Sequence, residues 1–279
     1  MDILSKIVFG KELGCIQDPI FKNHFIEYLH STFDMGWTAT SFLNLTKFSL
    51  SLSEWLSEVL FPIPLMKFKK KCIVLIDDYF QSRKIPTACE AGRVLEKEEY
   101  NKFVVIDTFV DPKSAKDYSV LNASQLAEEV IMLLSAGNDT TSDSMMVGIY
   151  QILKSPKIYQ KLNIELATSF PSLEEEITYD KAKKLVYLGA VIKETLCYSN
   201  PLPGRAPRMV PSEGYTLHGH VLPSGTAINT SSYLLNRHAN VWSNPDDFLP
   251  ESWLEKDAAS LEKYMTSFYR GTRQCLSKE

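Results

Sequence analysis

The strongest structural signal in this sequence is the stretch Phe268-Tyr269-Arg270-Gly271-Thr272-Arg273-Gln274-Cys275. It is followed by Leu276-Ser277-Lys278-Glu279. A cysteine that ligates iron as a thiolate needs a tight turn, backbone N–H groups directed at its sulfur and a nearby cation. Gly271, Cys275 and Arg273 are the residue types that such a loop requires. The stretch therefore predicts a metal-ligating cysteine loop over residues 268–277.

This loop resembles the cysteine loop of the cytochromes P450, whose pattern is Phe-x-x-Gly-x-Arg-x-Cys-x-Gly. Each fixed position matches except the last, where Ser277 stands for glycine. The resemblance implies a haem (iron protoporphyrin IX) with Cys275 as its axial thiolate and metal ligand. It also implies that Phe268, Gly271 and Arg273 contact the cofactor.

A second unusual stretch, Ala136-Gly137-Asn138-Asp139-Thr140-Thr141, lies inside a helix predicted over 122–152. Asn122 and Gln125 have the spacing of a capping box at the start of that helix. Helix propensity disfavours so many Gly, Asn, Asp and Thr residues at the centre of an apolar helix, and such local conflicts are typical of functional sites. The alternative is a helix that ends near residue 137 and continues as a polar turn.

The same stretch matches the distal-helix pattern of the P450s, Ala/Gly-Gly-x-Asp/Glu-Thr-Thr/Ser. By this resemblance, Asp139 and Thr140 are catalytic residues that deliver protons during dioxygen cleavage, which requires a general acid. Gly137 is then a cofactor-binding position at which a ligand approaches the backbone.

A third segment, predicted as a helix over 178–199, carries Glu194 where the P450s have Glu-x-x-Arg. In that family the glutamate pairs with this arginine and with a second one from a downstream Pro-Glu-Arg segment. Cys197 and Ser252 occupy the two arginine positions here. A buried carboxylate that loses its partner costs about 3–5 kcal/mol. Because Cys197 and Ser252 replace the two arginines at these structural positions, we expect Glu194 to be protonated, exposed or paired with another group.

Two arginines in the loop after this helix, Arg205 and Arg208, are candidates for the replacement partner. The alternative is that Glu194 is an ordinary solvent-facing helix glutamate.

The composition is that of a globular protein of 279 residues with 44% hydrophobic residues. A net charge of -4 gives no electrostatic reason to expect nucleic acid as a partner. The five cysteines are odd in number and form no Cys-x-x-Cys pair, which argues against a disulfide framework or a zinc site. No apolar run approaches the roughly 18 residues of a membrane span. The endoplasmic reticulum membrane is the location expected for the family, and the chain as given, without an anchor, is expected to be cytoplasmic or membrane-peripheral.

Helical spacing of apolar residues dominates before residue 200, with long helices predicted over 18–33 and 52–84. Residues 86–120 are less periodic and are predicted to form a solvent-facing connection. The run Gly214–Thr226 has the alternation and turn residues of a short hairpin. The predicted fold class is mainly α, a partial P450 fold with a small β hairpin region. Residues 1–279 form one partial domain that we expect to be truncated at both ends.

The start of the chain, Asp2–Gly10, resembles a segment of fungal secondary-metabolism P450s such as the trichodiene-oxygenase-like enzymes. The resemblance implies haem-dependent monooxygenation of a small hydrophobic molecule. Dioxygen is then the co-substrate, and NADPH-cytochrome P450 reductase supplies electrons. The alternative is a truncated remnant without catalysis, such as a helical module that binds a small molecule or a protein.

Overall fold

The computed structural model describes residues 1–20, 23, 25–30, 48, 51–52, 56, 64–82, 104–110, 121–172, 174–204 and 207–278. The chain forms two compact units, Met1–Asn138 and Asp139–Glu279. Most of the described secondary structure is helical, so the predicted mainly α class is confirmed. Within the described residues, no helix combines the length and the hydropathy that are needed to cross a membrane.

In the described part of the first unit, one apolar core lies between α1 (Asp2–Phe9), α2 (Pro64–Ser82), α3 (Val105–Val110), the first half of α4 (Ala123–Lys154) and the helical residues 25–30. The fully buried apolar side chains of this core are Val8, Leu29, Phe68, Cys72, Ile76, Phe80, Ile106, Leu126, Ala127, Val130 and Leu134. Of the predicted helix over 18–33, residues 25–30 are helical, and most of 53–63 lies outside the described residues.

The prediction of a solvent-facing connection over 86–120 is wrong for α3. Ile106 is fully buried, and Asp107 accepts hydrogen bonds from the Val104 N–H group (3.1 Å) and from the Tyr79 hydroxyl. A helix of six residues, two of them polar, is too short for helical periodicity to be recognised among the surrounding charges and prolines. Residues 86–103 and 111–120 lie outside the part of the chain that the structure describes.

The long helix α4 begins with the predicted capping box. The Asn122 N–H group donates to Gln125 Oε1 (3.1 Å), and the Gln125 N–H group donates to Asn122 Oδ1 (3.0 Å). These two bonds satisfy N–H groups that the start of a helix leaves open. The helix then continues for 32 residues to Lys154. The alternative of a helix end near residue 137 is therefore wrong.

The predicted helix over 178–199 is two helices, because the chain leaves the helical conformation at residues 183–185. Glu165 accounts for the new start, since its carboxylate accepts the N–H groups of Tyr187 and Leu188, both at 2.8 Å. A carboxylate at a helix N-terminus satisfies open N–H groups and interacts favourably with the helix dipole. The helices of this region are α5 (Pro156–Ser169), α6 (Tyr179–Ala182) and α7 (Val186–Ser199).

The described strands form two small antiparallel pairs, and the predicted hairpin is one of them. His218 (φ 48°) and Gly219 (φ 81°) form its turn. Positive φ at both central residues is the conformation that matches the twist of a two-residue hairpin. The strands are β1 (Arg208–Met209), β2 (Tyr215–Leu217), β3 (His220–Leu222) and β4 (Ala227–Ile228), with β1 paired to β4 and β2 to β3.

In the last part of the second unit, the 3-10 helix Pro250–Leu254 packs against α7. Trp253 of this 3-10 helix packs against Trp242, with the ring centroids 5.6 Å apart, in an apolar cluster that includes Ala190 and Cys197 of α7. The remaining elements are α8 (Ser232–Leu235), α9 (Ala258–Leu261) and the 3-10 turns Gly271–Arg273 and Leu276–Lys278.

Candidate functional site

The predicted cysteine loop is closed by its own backbone. The Cys275 N–H group donates to the Phe268 carbonyl oxygen (2.8 Å), and the Tyr269 N–H group donates to the Thr266 carbonyl oxygen (2.9 Å). The 3-10 turn Gly271–Arg273 lies between them. These bonds hold the two ends of the loop side by side and fix the position of the Cys275 backbone.

Two residues of the loop have a left-handed backbone, Tyr269 (φ 54°) and Gly271 (φ 77°). Glycine adopts this conformation freely, whereas a tyrosine there costs of the order of 1–3 kcal/mol. Such strain persists only where the surrounding structure holds it, and it is common at functional sites. Apart from the chain neighbours, no atom of the described residues lies within 4 Å of the place a Gly271 Cβ would take, so the backbone angle is what requires glycine.

Exposure distinguishes Cys275 from the other described cysteines. Cys15, Cys72 and Cys197 are buried, and Cys275 is exposed. Burial raises the pKa of Cys15 to about 11 and the pKa values of Cys72 and Cys197 to about 12. A metal is bound by the thiolate, so these buried thiols are unsuited to the task. Among the cysteines that the structure describes, only Cys275 fits an iron ligand; Cys89 lies outside the described residues.

Phe268 and Arg273 give the loop an apolar and a cationic side chain. Phe268 is half-buried and Arg273 is exposed. A haem has an apolar ring with carboxylate groups at its edge, so these two side chains are chemically complementary to it. Together with the exposed Cys275 thiol, they form a set of residues that fits the group.

Gly137 lies in the middle of α4, where a helix of the first unit comes close to the backbone. A Cβ atom added to Gly137 would lie 3.0 Å from Leu4 Cδ2. That separation is tighter than ordinary van der Waals contact, so the glycine has a packing role in the first unit. The sequence interpretation, a glycine that admits a ligand, did not include this role.

Asp139 and Thr140 occupy successive positions on the same helix, and both are half-buried. The Ser142 hydroxyl donates to the Asp139 carbonyl oxygen (3.2 Å), a bond from a side chain back to the preceding turn. A carboxyl group and a hydroxyl group can each accept and pass on protons. The two side chains leave the helix in different directions, because successive residues of a helix do not face each other.

Glu194 is buried on α7, with 7% of its surface exposed. Its Oε1 atom accepts the Leu249 N–H group (2.9 Å), and its Oε2 atom accepts the Trp253 Nε1–H group (2.8 Å). Burial raises the pKa of Glu194, and the two hydrogen bonds offset part of that rise. The alternative of a solvent-facing glutamate is wrong: Glu194 is paired, and its partners are neutral donors.

Cys197 and Ser252, the two positions at which the resemblance expects arginine, line one pocket together with Glu194. The volume of this pocket is about 120 Å³. For comparison, an engineered apolar cavity of about 150 Å³ holds benzene. The pocket therefore has room for several water molecules or for a guanidinium group, and it brings together the three residues that the sequence singled out as structural.

Arg237, which the sequence interpretation missed, lines the same pocket. Its guanidinium group lies over the rings of Tyr198 (5.1 Å) and Tyr233 (4.2 Å), and its Nη2 atom donates to the Tyr198 carbonyl oxygen (3.1 Å). Its Nη1 atom is buried and has no hydrogen-bond partner among the described residues. The positive charge of Arg237 is one of the influences that lower the pKa of Glu194. An arginine two positions after the apolar run Tyr233–Leu235 was the available signal.

Arg208, one of the two arginines proposed as replacement partners, lies on β1 and is exposed. Its Nη1 atom donates to the carbonyl oxygen of the neighbouring Pro207 (2.9 Å). The other candidate, Arg205, lies outside the described residues. Arg237 is thus the arginine whose charge acts on Glu194.

Comparison with known proteins gives a family match over almost the whole chain. The sequence model described as Cytochrome P450 matches residues 1–278. Cytochrome P450 monooxygenase sol6 of Alternaria solani is 44% identical over 284 residues, which covers 100% of this chain and 58% of that protein. Cytochrome P450 monooxygenase aneF of Aspergillus aculeatus is 30% identical over 275 residues, which covers 99% of this chain and 54% of that protein.

A shorter alignment relates the chain to cytochrome P450 monooxygenase BOT1 of Botryotinia fuckeliana. The two are 36% identical over 182 residues, which covers 65% of this chain and 35% of that protein. In the two longer alignments, this chain spans 58% and 54% of the length of its relatives.

Proposed function

This chain belongs to the cytochrome P450 family, and we propose that the protein is a haem-thiolate monooxygenase that oxidises a small hydrophobic molecule. Cys275 is the proposed axial ligand of the haem iron. Phe268, Gly271, Arg273 and Gly137 are the proposed cofactor-binding residues. When bound, a haem with an axial thiolate supplies the activation and cleavage of dioxygen.

The observation that carries this proposal is the exposed Cys275 thiol on a loop whose backbone is fixed. The Cys275 N–H group is bonded to Phe268, and the loop turns at a left-handed Gly271. The other described cysteines are buried thiols whose pKa values are raised, to about 11 for Cys15 and to about 12 for Cys72 and Cys197. The fixed loop and the exposed thiol support Cys275 as the ligand.

Asp139 and Thr140 are the proposed proton-delivering residues. The carboxyl group of Asp139 and the hydroxyl group of Thr140 take protons from solvent and deliver them for the cleavage of dioxygen. Oxidation of a C–H bond with dioxygen consumes two protons and two electrons, so the reaction needs a general acid that supplies the protons. Both side chains are half-buried on α4, which limits but does not prevent contact with water.

The proposed domain is a single P450 domain whose parts are the distal helix (predicted over 122–152), the segment 178–199, whose second helix α7 carries Glu194, and the cysteine loop (268–277). Glu194, Cys197 and Ser252 have a structural role in it. The pocket that they share is supported by neutral hydrogen bonds from Leu249 and Trp253 instead of a pair of arginines.

The substrate class and the partners belong to the same proposal. The similar proteins are named as monooxygenases of fungi, which supports a role in fungal secondary metabolism. Dioxygen is the proposed co-substrate, and NADPH-cytochrome P450 reductase the proposed electron donor. The endoplasmic reticulum membrane is the proposed location.

The test is a carbon monoxide difference spectrum of the dithionite-reduced protein, expressed with a haem precursor. We expect a Soret band at the position typical of thiolate ligation. Cys275→Ala should abolish this band and leave the circular dichroism of the helices nearly unchanged, while the matched control Cys197→Ala should retain it. Equal spectra for the parent and Cys275→Ala would exclude Cys275 as the ligand, and no haem uptake by the parent would contradict the proposed function.

A further inference from the structure

Asn236 lies directly after α8 and is almost completely buried, with 4% of its surface exposed. Its Oδ1 atom accepts both the Thr266 N–H group (3.2 Å) and the Thr266 hydroxyl (3.1 Å). Its Nδ2 atom donates to the Cys197 carbonyl oxygen (3.2 Å) and to Asn200 Oδ1 (3.0 Å). One side chain therefore joins the end of α7 to the segment before the cysteine loop.

The chemistry of these partners fixes the orientation of the Asn236 amide. A backbone N–H group can only donate, so the side-chain oxygen of Asn236 has to face Thr266. A backbone carbonyl oxygen can only accept, so the NH₂ group has to face Cys197. Reversing the amide would place donor against donor and acceptor against acceptor, and the side chain can therefore occupy only one of its two orientations.

The end of α7 offers acceptors because a helix leaves its last carbonyl groups without intrahelical partners. Asn200, in the left-handed conformation (φ 45°), ends the helix and donates to the Cys197 carbonyl oxygen (2.8 Å). The Ser267 hydroxyl donates to the Leu196 carbonyl oxygen (2.6 Å). Two consecutive carbonyl groups of this helix end thus receive hydrogen bonds from side chains outside the helix.

Thr266 and Ser267 lie directly before the cysteine loop, and the backbone hydrogen bonds that close the loop begin next to them. The Thr266 carbonyl oxygen accepts the Tyr269 N–H group (2.9 Å), which begins the turn. The next residue after Ser267 is Phe268, whose carbonyl oxygen accepts the Cys275 N–H group (2.8 Å). The fixed base of the loop is therefore built on the residues that Asn236 holds.

We propose that Asn236 is a positioning residue, which holds the base of the cysteine loop against the end of α7 and so fixes the place of Cys275. It acts through Thr266 and makes no contact with the thiol itself. The purpose of this positioning, a thiolate in register with an iron atom, rests on the function proposed above. The hydrogen bonds by which Asn236 holds the base of the loop belong to the chain itself, so they can be tested without any cofactor.

The first test is hydrogen exchange of the full 279-residue chain, read residue by residue over the cysteine loop. Asn236→Asp is the sharpest variant, because it keeps the shape and both acceptor contacts to Thr266 but replaces the donating NH₂ group by an oxygen that faces the Cys197 carbonyl. Asn240→Asp, at an exposed asparagine, is the matched control for the added charge.

In Asn236→Asp we expect the Tyr269 and Cys275 amides to exchange about tenfold faster or more, and no change in the control. Unchanged exchange at these amides would overturn the proposal. A rise spread equally over α5, α7 and the loop would also overturn it, because that pattern belongs to a general loss of stability. Thr266→Val, which removes only the hydroxyl donor, is the milder second variant and should give a smaller increase at the same two amides.

The second readout is spectroscopic and separates this proposal from the proposed function. With haem supplied, Asn236→Asp should bind as much haem as the parent, but a smaller fraction of it should give the thiolate band of the carbon monoxide complex. An unchanged thiolate fraction would overturn the positioning role. If the parent itself takes up no haem, the proposed function fails, and the exchange experiment still decides whether Asn236 holds the loop.

Discussion

Replacing Glu194 by glutamine is expected to destabilise the second unit, although it removes a buried charge. The two carboxylate oxygens accept N–H donors from Leu249 (2.9 Å) and Trp253 (2.8 Å). A glutamine amide has one oxygen and one NH₂ group, so in either orientation one of these buried donors faces another donor. A buried donor without a partner costs about 1–3 kcal/mol, and this is the expected loss near pH 4.5.

The difference between the two proteins should depend on pH in a defined direction. Burial raises the pKa of Glu194 above its ordinary value of 4.5, so the folded protein holds this proton more tightly than the unfolded chain. The free energy of unfolding of the parent therefore falls as pH rises above about 4.5, until the folded-state pKa is passed. Glutamine does not titrate. The deficit of Glu194→Gln should accordingly be largest near pH 4.5 and become smaller as pH rises.

The assay is urea unfolding of both proteins between about pH 4.5 and pH 8, followed by tryptophan fluorescence, to which Trp253 contributes directly. We expect a deficit of about 1–3 kcal/mol at the acid end and a monotonic decrease above it. A deficit that stays constant, or that grows with pH, would refute the reasoning, because it would mean that Glu194 does not carry a raised pKa in the folded protein.

Glu251→Gln is the matched control, since it is the same substitution with the opposite expected trend. Partial burial raises the pKa of Glu251, but hydrogen bonds from Lys161 (2.7 Å) and from the Tyr187 hydroxyl (2.9 Å) bring it below its ordinary value. The stability that Glu251 contributes is present above pH 4.5 and is lost as pH falls through the lowered pKa. The deficit of Glu251→Gln should therefore grow as pH rises toward about 4.5 and stay nearly constant above it, so this pair is also measured down to about pH 3. Parallel pH trends in the two variants would contradict the assignment of opposite shifts.

Two further predictions concern the packing of α7. Cys197→Arg combined with Ser252→Arg places guanidinium groups in the pocket beside Glu194, where charge-assisted hydrogen bonds contribute about 1.5–3 kcal/mol each. We expect a higher melting temperature for this double variant. An unchanged or lower melting temperature would contradict the pairing of the new arginines with Glu194. Gly148→Ala should cost about 1–3 kcal/mol, because its Cβ atom would lie 2.7 Å from Thr195 Oγ1. Gly189→Ala is its control, because no neighbouring atom in the described part of the chain lies within 4 Å of the new Cβ beyond the helix's own backbone. It should be neutral or stabilising by up to about 1 kcal/mol in thermal melts. Equal melting temperatures for the two variants would contradict this account.

Features that depend on neighbouring residues could be predicted from the sequence. The capping box at Asn122 and Gln125 and the hairpin around His218 are both present, since each is formed by residues a few positions apart. The family assignment also followed from sequence, because the cysteine loop and the distal-helix pattern are short contiguous stretches. The short helix α3 was missed, since its burial is decided by other helices and not by its own period.

The family, the proposed ligand cysteine and the start of the long helix α4 followed from the sequence. The partners of the buried polar groups became known from the folded structure. Glu194 takes its donors from residues 55 and 59 positions further along the chain. Glu165 starts α7 from 22 positions away, and Asn236 reaches Thr266 across 30. The physical reason is that a turn or a helix cap is closed by adjacent residues, whereas the partner of a buried polar group depends on which distant segments the core brings together.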